Sequence, residues 1–73
     1  MIEVRLFATL REGRGKIIFI KPDQHKNAES ILASLDIAKK DVAILLINGR
    51  HSRMSDVVRD GDVVAVFPPI GGG

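Results

Sequence analysis

The chain contains no cysteine, no tryptophan and no tyrosine. Without thiols there can be no disulfide framework, no cysteine-ligated zinc or iron–sulfur site and no thiol nucleophile. Stability must come from packing alone, as suits a reducing compartment. No apolar run approaches the roughly 20 residues that span a bilayer. The opening Met1-Ile2-Glu3-Val4-Arg5 is strand-like and carries an acid, unlike a signal peptide. We therefore expect a cytoplasmic protein with no membrane partner. Aromatic residues are limited to Phe7, Phe19 and Phe67, and the 11 basic residues are dispersed among 9 acids. A nucleic-acid binder of this size would show a basic stripe interleaved with aromatics, so nucleic acid is not an expected partner either.

Catalytic constellations are missing too. His25 and His51 stand alone, with no acid or second histidine at metal-ligand spacing, and we expect no bound metal. Gly13-Arg14-Gly15-Lys16 lacks both the earlier glycine and the following Ser/Thr of a phosphate loop. Asp60 and Asp62 flank a turn glycine and need no metal to explain them. There is no nucleophile–base pair and no carboxylate dyad. If the protein takes part in chemistry, it presents a group to a larger partner and is not an enzyme by itself.

What is present is a compact apolar pattern. The 73 residues are 45% apolar and 27% charged, a globular balance in a chain long enough for one domain. A chain this short buries only about 60% of the surface its unfolded form exposes, so the core must be economical. Ile2, Val4, Leu6 and Ala8 alternate with Glu3, Arg5, Phe7 and Thr9, the period-two signature of a half-buried strand. A glycine-containing break at Arg11–Gly15 leads into a second strand over Lys16–Ile20, and the pair reads as a hairpin closed by Pro22-Asp23. Ala28, Ile31, Leu32 and Leu35 form one helical stripe, with Asn27 as N-cap and Glu29 in the first turn. Asp36–Asp41 reads either as a last turn or as a short second helix. Val42–Ile47 is a continuous apolar run, expected to be a strand buried on both faces. Asn48-Gly49 is a strong hairpin signal. It predicts a return strand over Arg50–Met54, then a turn at Asp60-Gly61-Asp62 and a last strand over Val63–Phe67.

The order β-β-α-β-β-β matches an α+β β-grasp (ubiquitin-like) arrangement, a mixed sheet of four to five strands with one main helix. We expect residues 1–67 to form that domain and residues 68–73 to form a tail. Pro68 and Pro69 end the last strand, and Gly71, Gly72 and Gly73 carry no side chain to pack. From Pro68 onward the tail can reach about 20 Å at ~3.3 Å per residue. Such an end can be threaded into a channel that any Cβ would block.

The ending Phe67-Pro68-Pro69-Ile70-Gly71-Gly72-Gly73 resembles the Phe-Pro-Pro-Val-x-Gly-Gly ending of the small subunit of molybdopterin synthase. Leu10-Arg11-Glu12, Asn48-Gly49 and Gly61-Asp62 fit the same ubiquitin-like sulfur-carrier family, to which the thiamine-synthesis carrier is also related. The resemblance implies a carrier cycle. A ubiquitin-activating-type adenylating enzyme would use ATP to adenylate the carboxylate of Gly73, and a sulfur donor would displace AMP to leave a thiocarboxylate. The molybdopterin synthase large subunit would then receive the tail, with Gly71 and Gly72 giving it clearance. ATP is the activating partner's substrate, and no cofactor is bound here.

The resemblance also implies that the first and last strands lie parallel and adjacent. With Val64 and Val66 facing the helix, Val63, Ala65 and Phe67 face outward beside Arg5 and Phe7. We expect Arg5, Phe7, Phe67, Pro68 and Pro69 to anchor a partner beside the tail as an exposed aromatic patch. Three other functions remain open on the sequence: a sulfur carrier for another product such as thiamine, a protein modifier joined to target lysines, and a plain binding module.

Overall fold

The computed structural model describes residues 1–22 and 27–70. Five strands form one sheet: β1 (Ile2–Leu6), β2 (Ile17–Ile20), β3 (Ile44–Ile47), β4 (Arg50–His51) and β5 (Val63–Phe67). They are ordered β2-β1-β5-β3-β4. β1 and β5 run parallel at the centre; the other three pairings are antiparallel. One helix, α1 (Ala28–Ser34), covers one face. This is the β-grasp arrangement expected from the order of elements.

The core lies between α1 and that face. Ile2, Val4 and Leu6 of β1 and Val64 and Val66 of β5 have no exposed surface, and neither do Ala28, Ile31 and Leu32 of α1. Each fully buried aliphatic side chain contributes on the order of 1.5–3 kcal/mol of transfer free energy, the main stabilising resource of a chain with no crosslinks. Leu10, Ile37, Leu45 and Val58 close the ends of the same cluster.

The helix begins where the sequence places it. The Asn27 Oδ1 accepts the Ser30 N–H at 2.9 Å, and the Asn27 N–H donates back to the Ser30 Oγ at 3.4 Å, a reciprocal cap. It ends one residue short of the expected stripe: Leu35 is its C-cap, and Asp36 turns left-handed at φ 59°. The free carbonyls there are met by Arg14, whose guanidinium donates to the Leu35 carbonyl at 2.8 Å and the Asp36 carbonyl at 3.2 Å. Lys39–Asp41 forms a 3-10 turn, the second of the two alternatives for that segment.

Three expectations change. β1 stops at Leu6 instead of running through Ala8, because Ala8 adopts φ 54° and opens a 3-10 turn over Ala8–Arg11. β3 is covered on one face only: Leu45 is buried while Ile44 is 41% exposed, since among the described residues no second layer lies over the outer face. The return strand is two residues long, not five. Asp23 and His25 lie outside the described residues.

At the start of β5, Asn48 and Asp62 form a clamp. Asn48 (φ 53°) and Gly49 (φ 81°) make the expected turn with both residues left-handed. The Asn48 side chain then accepts the Val63 N–H at 2.9 Å and donates to Asp62 at 2.9 Å. The other Asp62 oxygen accepts the Arg59 N–H at 2.8 Å. These bonds, the Arg59 amide first and the Asn48 amide next, hold the Asp62 carboxyl below its ordinary value.

Two outcomes follow for stability. Asn27→Ala should lower unfolding free energy by about 1 kcal/mol, seen as an earlier urea midpoint at unchanged slope. A carboxylate whose pKa is depressed by folding adds stability above its unfolded pKa, and that stability is lost as pH falls through the folded value. Melting temperature should therefore decline below about pH 4, and Asp62→Ala should flatten that decline while lowering stability at neutral pH.

Candidate functional site

The register of β1 on β5 pairs Arg5 with Ala65 and Leu6 with Val66. One rung further, Phe7 meets Phe67. Phe7 keeps an extended backbone (φ −123°, ψ 151°), and its N–H donates to the Val66 carbonyl at 3.2 Å. Parallel neighbours in a sheet stand ~4.8 Å apart, which brings two rings on the same face into stacking distance. Their centroids are 4.2 Å apart with an interplanar angle of 11°. Both rings are half-buried instead of exposed, because each covers one face of the other.

The outward assignment of β5 is correct: Val64 and Val66 are buried on the helix side, and Val63, Ala65 and Phe67 alternate with them. Arg5 lies on the same outer face, but its guanidinium is paired with Glu3, toward the far end of β1 from Phe7. The cation at the aromatic pair is Arg11. Its Nε donates to the Leu6 carbonyl at 2.8 Å, and its guanidinium carbon sits 5.3 Å from the Phe7 ring centroid. Arg11, Phe7 and Phe67 thus form a three-tier stack. The sequence pattern concealed it, because reading Ile2–Ala8 as one strand leaves no 3-10 turn to carry Arg11 back over Phe7.

β5 ends here for a simple reason. The Phe67 carbonyl still accepts the Ala43 N–H at 2.8 Å, but Pro68 and Pro69 have no N–H to continue a ladder. Pro68 is half-buried, Pro69 is exposed, and Ile70 is 98% exposed. Phe7, Ala8, Ile44, Phe67, Pro69 and Ile70 line a shallow groove that is almost wholly apolar. Gly71, Gly72 and Gly73 lie outside the described residues. Among the described residues no group of three or more His, Asp or Glu could hold a metal ion, and no helix is long and apolar enough to cross a membrane.

The arrangement is a rigid body from which one strand continues as an unpaired chain past an aromatic and proline collar. Known proteins share the fold. The solved complex of subunits 1 and 2 of molybdopterin-converting factor from Helicobacter pylori superposes with a TM-score of 0.65 over 99% of this chain and 97% of the matched one, at 24% identity. The solution structure of the HVO 2177 protein of Haloferax volcanii is 32% identical, with a TM-score of 0.74 over 99% of this chain and 85% of that one. Small archaeal modifier protein 3 of Haloferax volcanii is 34% identical over 99% of this chain and 98% of its own length. The model of the ThiS family matches residues 4–73, glycines included. The chain belongs to the ThiS family of small ubiquitin-like carrier and modifier proteins.

Proposed function

We propose that the protein is a sulfur carrier whose working group is the carboxylate of Gly73. In the cycle we assign to it, a carboxylate oxygen attacks the α-phosphorus of ATP on an activating enzyme, expelling pyrophosphate and leaving an acyl adenylate. A sulfide-level sulfur donor then displaces AMP. The resulting thiocarboxylate gives its sulfur to the sulfur-free precursor of molybdopterin on a larger synthase subunit, water restoring the carboxylate of Gly73. The chain supplies no catalytic side chain; both enzymes are partners, and the use of ATP sets the cycle in the cytoplasm.

The observation that carries this reading is the exit of the chain. From Pro68 to Ile70 no ladder holds it, and by Ile70 it stands clear of the body. Gly71 and Gly72 then offer a thread without Cβ atoms to a narrow channel, while Gly73 carries the sulfur. Phe7, Phe67, Pro68 and Pro69 form the apolar docking collar, with Arg11 as the cation beside it and Arg5 further along the same face, paired with Glu3. The two-subunit assembly of the Helicobacter pylori factor supports a large-subunit partner.

A second reading has its own support. The relative at 34% identity is named a modifier protein, and the adenylate that accepts sulfur can equally be passed toward a lysine amine to form an isopeptide bond. The two products differ, so one experiment separates them. The protein is incubated with activating extract, ATP and a sulfur donor, beside a variant lacking Gly73. Carrier function predicts an intact-mass gain equal to exchanging one oxygen for sulfur, absent from the variant. Modifier function predicts higher-mass conjugates that also require Gly73. Neither change in a demonstrably active extract would discard both.

Docking is tested separately. Phe7→Ala and Phe67→Ala should each weaken large-subunit binding about tenfold or more, with the domain still folded by amide NMR. Binding equal to the parent's would remove the collar from the interface.

A further inference from the structure

The sheet has two edges, and they are built differently. β4 is a two-residue edge, Arg50-His51, both exposed and polar. A short, charged edge of this kind resists pairing with another strand. β2 is the other edge, and its four residues are Ile17-Ile18-Phe19-Ile20. Ile17 is 51% exposed and Phe19 60% exposed, both on the outer face. Among the described residues no strand flanks β2 on its free side.

The phase of the ladder shows which backbone groups are free. The Leu6 N–H donates to the Lys16 carbonyl at 2.9 Å, so the hydrogen-bonded pairs of β1 and β2 fall at every second residue. With Val4 opposite Ile18 and Ile2 opposite Ile20, Ile18 and Ile20 direct their main-chain groups inward to β1. Ile17 and Phe19 direct theirs outward. The two residues with exposed apolar side chains are therefore also the two with unpaired N–H and C=O groups at the edge.

We propose that β2 pairs antiparallel with β2 of a second copy of this chain, about a two-fold axis normal to the sheet beside Ile18. The register is set by two requirements. Directly opposed residues in an antiparallel pair share a face, so an axis passing between two residues would set an inward side chain against an outward one. Of the axes through a residue, the one at Ile18 places Ile17 of each copy opposite Phe19 of the other. Both are hydrogen-bonded pairs, and together they satisfy all four free N–H groups and their carbonyls. An axis at Phe19 would bond Phe19 to itself and send Ile17 against Lys21. The contact at Ile18 is self-complementary and closes. Pairing β2 with β4 of a neighbour would instead propagate without end, and the short, charged β4 edge opposes it.

The product is a ten-stranded sheet with both helices on one side. β5 of the two copies runs antiparallel, so the two tails leave at opposite ends and neither collar is covered. The contact is small, well under the ~1,200 Å² of a stable complex, and the dimer is accordingly a weak one that forms at high concentration.

Sedimentation of the full chain between about 10 μM and about 1 mM tests it, the range over which such a small interface associates. The average mass should rise toward twice that of the monomer. Over the same range the amides of Ile17 and Phe19 should gain protection from hydrogen exchange, while those of Ile18 and Ile20, already bonded to β1, stay unchanged. Phe19→Lys should abolish the rise; a lysine there would face Glu3, its partner across β1, and the fold should hold. Ile17→Lys repeats the test at the other contact. A mass that stays monomeric at the top concentration overturns the proposal. So does a dimer whose shifts centre on Phe7 and Phe67, or protection of Ile17 and Phe19 that appears only when a different protein is added.

Discussion

The parallel pairing of β1 with β5 is the constraint on which everything else rests. It brings residues some sixty positions apart into one ladder at the middle of the sheet, with Glu3 opposite Val63 and Leu6 opposite Val66. A parallel pair cannot be closed by a tight turn, so the intervening chain must cross over, and here that crossover contains β2, α1, β3 and β4. The pairing fixes which side chains are core. Val4, Leu6, Val64 and Val66 point to the helix because each sits on the same parity of adjacent strands. It also fixes the direction in which the last strand leaves the body at Phe67.

Much of this was legible in the sequence, and the reasons differ by element. β1 alternates cleanly because one face of the sheet is buried and the other is not, whereas β5 is apolar at every position and is marked by the turn at Asp60-Gly61-Asp62 before it. Asn27 announces the helix because a side-chain oxygen is needed there, and Asn48-Gly49 announces its turn because both residues must take positive φ. What escaped was set by tertiary context. Ala8 carries no signal for φ 54°, and alanine reads as strand continuation as easily as strand end. The run Val42–Ile47 is apolar throughout, so it looks buried on both sides. Its outward members, Ile44 and Leu46, are apolar because they sit beside Phe67 and Ala65, not beneath a second layer.

The candidate site was legible as residues and not as geometry. Phe7 and Phe67 were assigned to the outer face, and that holds. That they would stack on one rung at 4.2 Å depends on register to the single residue, which no pattern specifies. Arg14 lies in a segment whose glycines look like a loop, yet its guanidinium reaches four carbonyls and ties the β1–β2 loop to the end of α1. Its purpose is visible only once the left-handed turn at Asp36 has exposed those carbonyls.

Register also explains why the body is pinned most firmly at the end away from the tail. A slip of one residue between β5 and its neighbours would turn Phe67 into the core and put Val66 outside. Against that slip the fold sets a cluster of side-chain and main-chain bonds at the first residues of β5. Asn48 is bonded to Val63 and Asp62, Asp62 to Arg59, the Glu3 N–H to the Asp62 carbonyl at 3.0 Å, and the Gly61 N–H to the Met1 carbonyl at 3.0 Å. None of these groups is near Phe7 or Phe67. Because a strand is stiff and its side-chain period is two, locking Val63 places Phe67 four residues on. The polar clamp at one end and the aromatic stack at the other are thus parts of one device. It holds the body in register up to Phe67, where the ladder ends at Pro68 and Pro69.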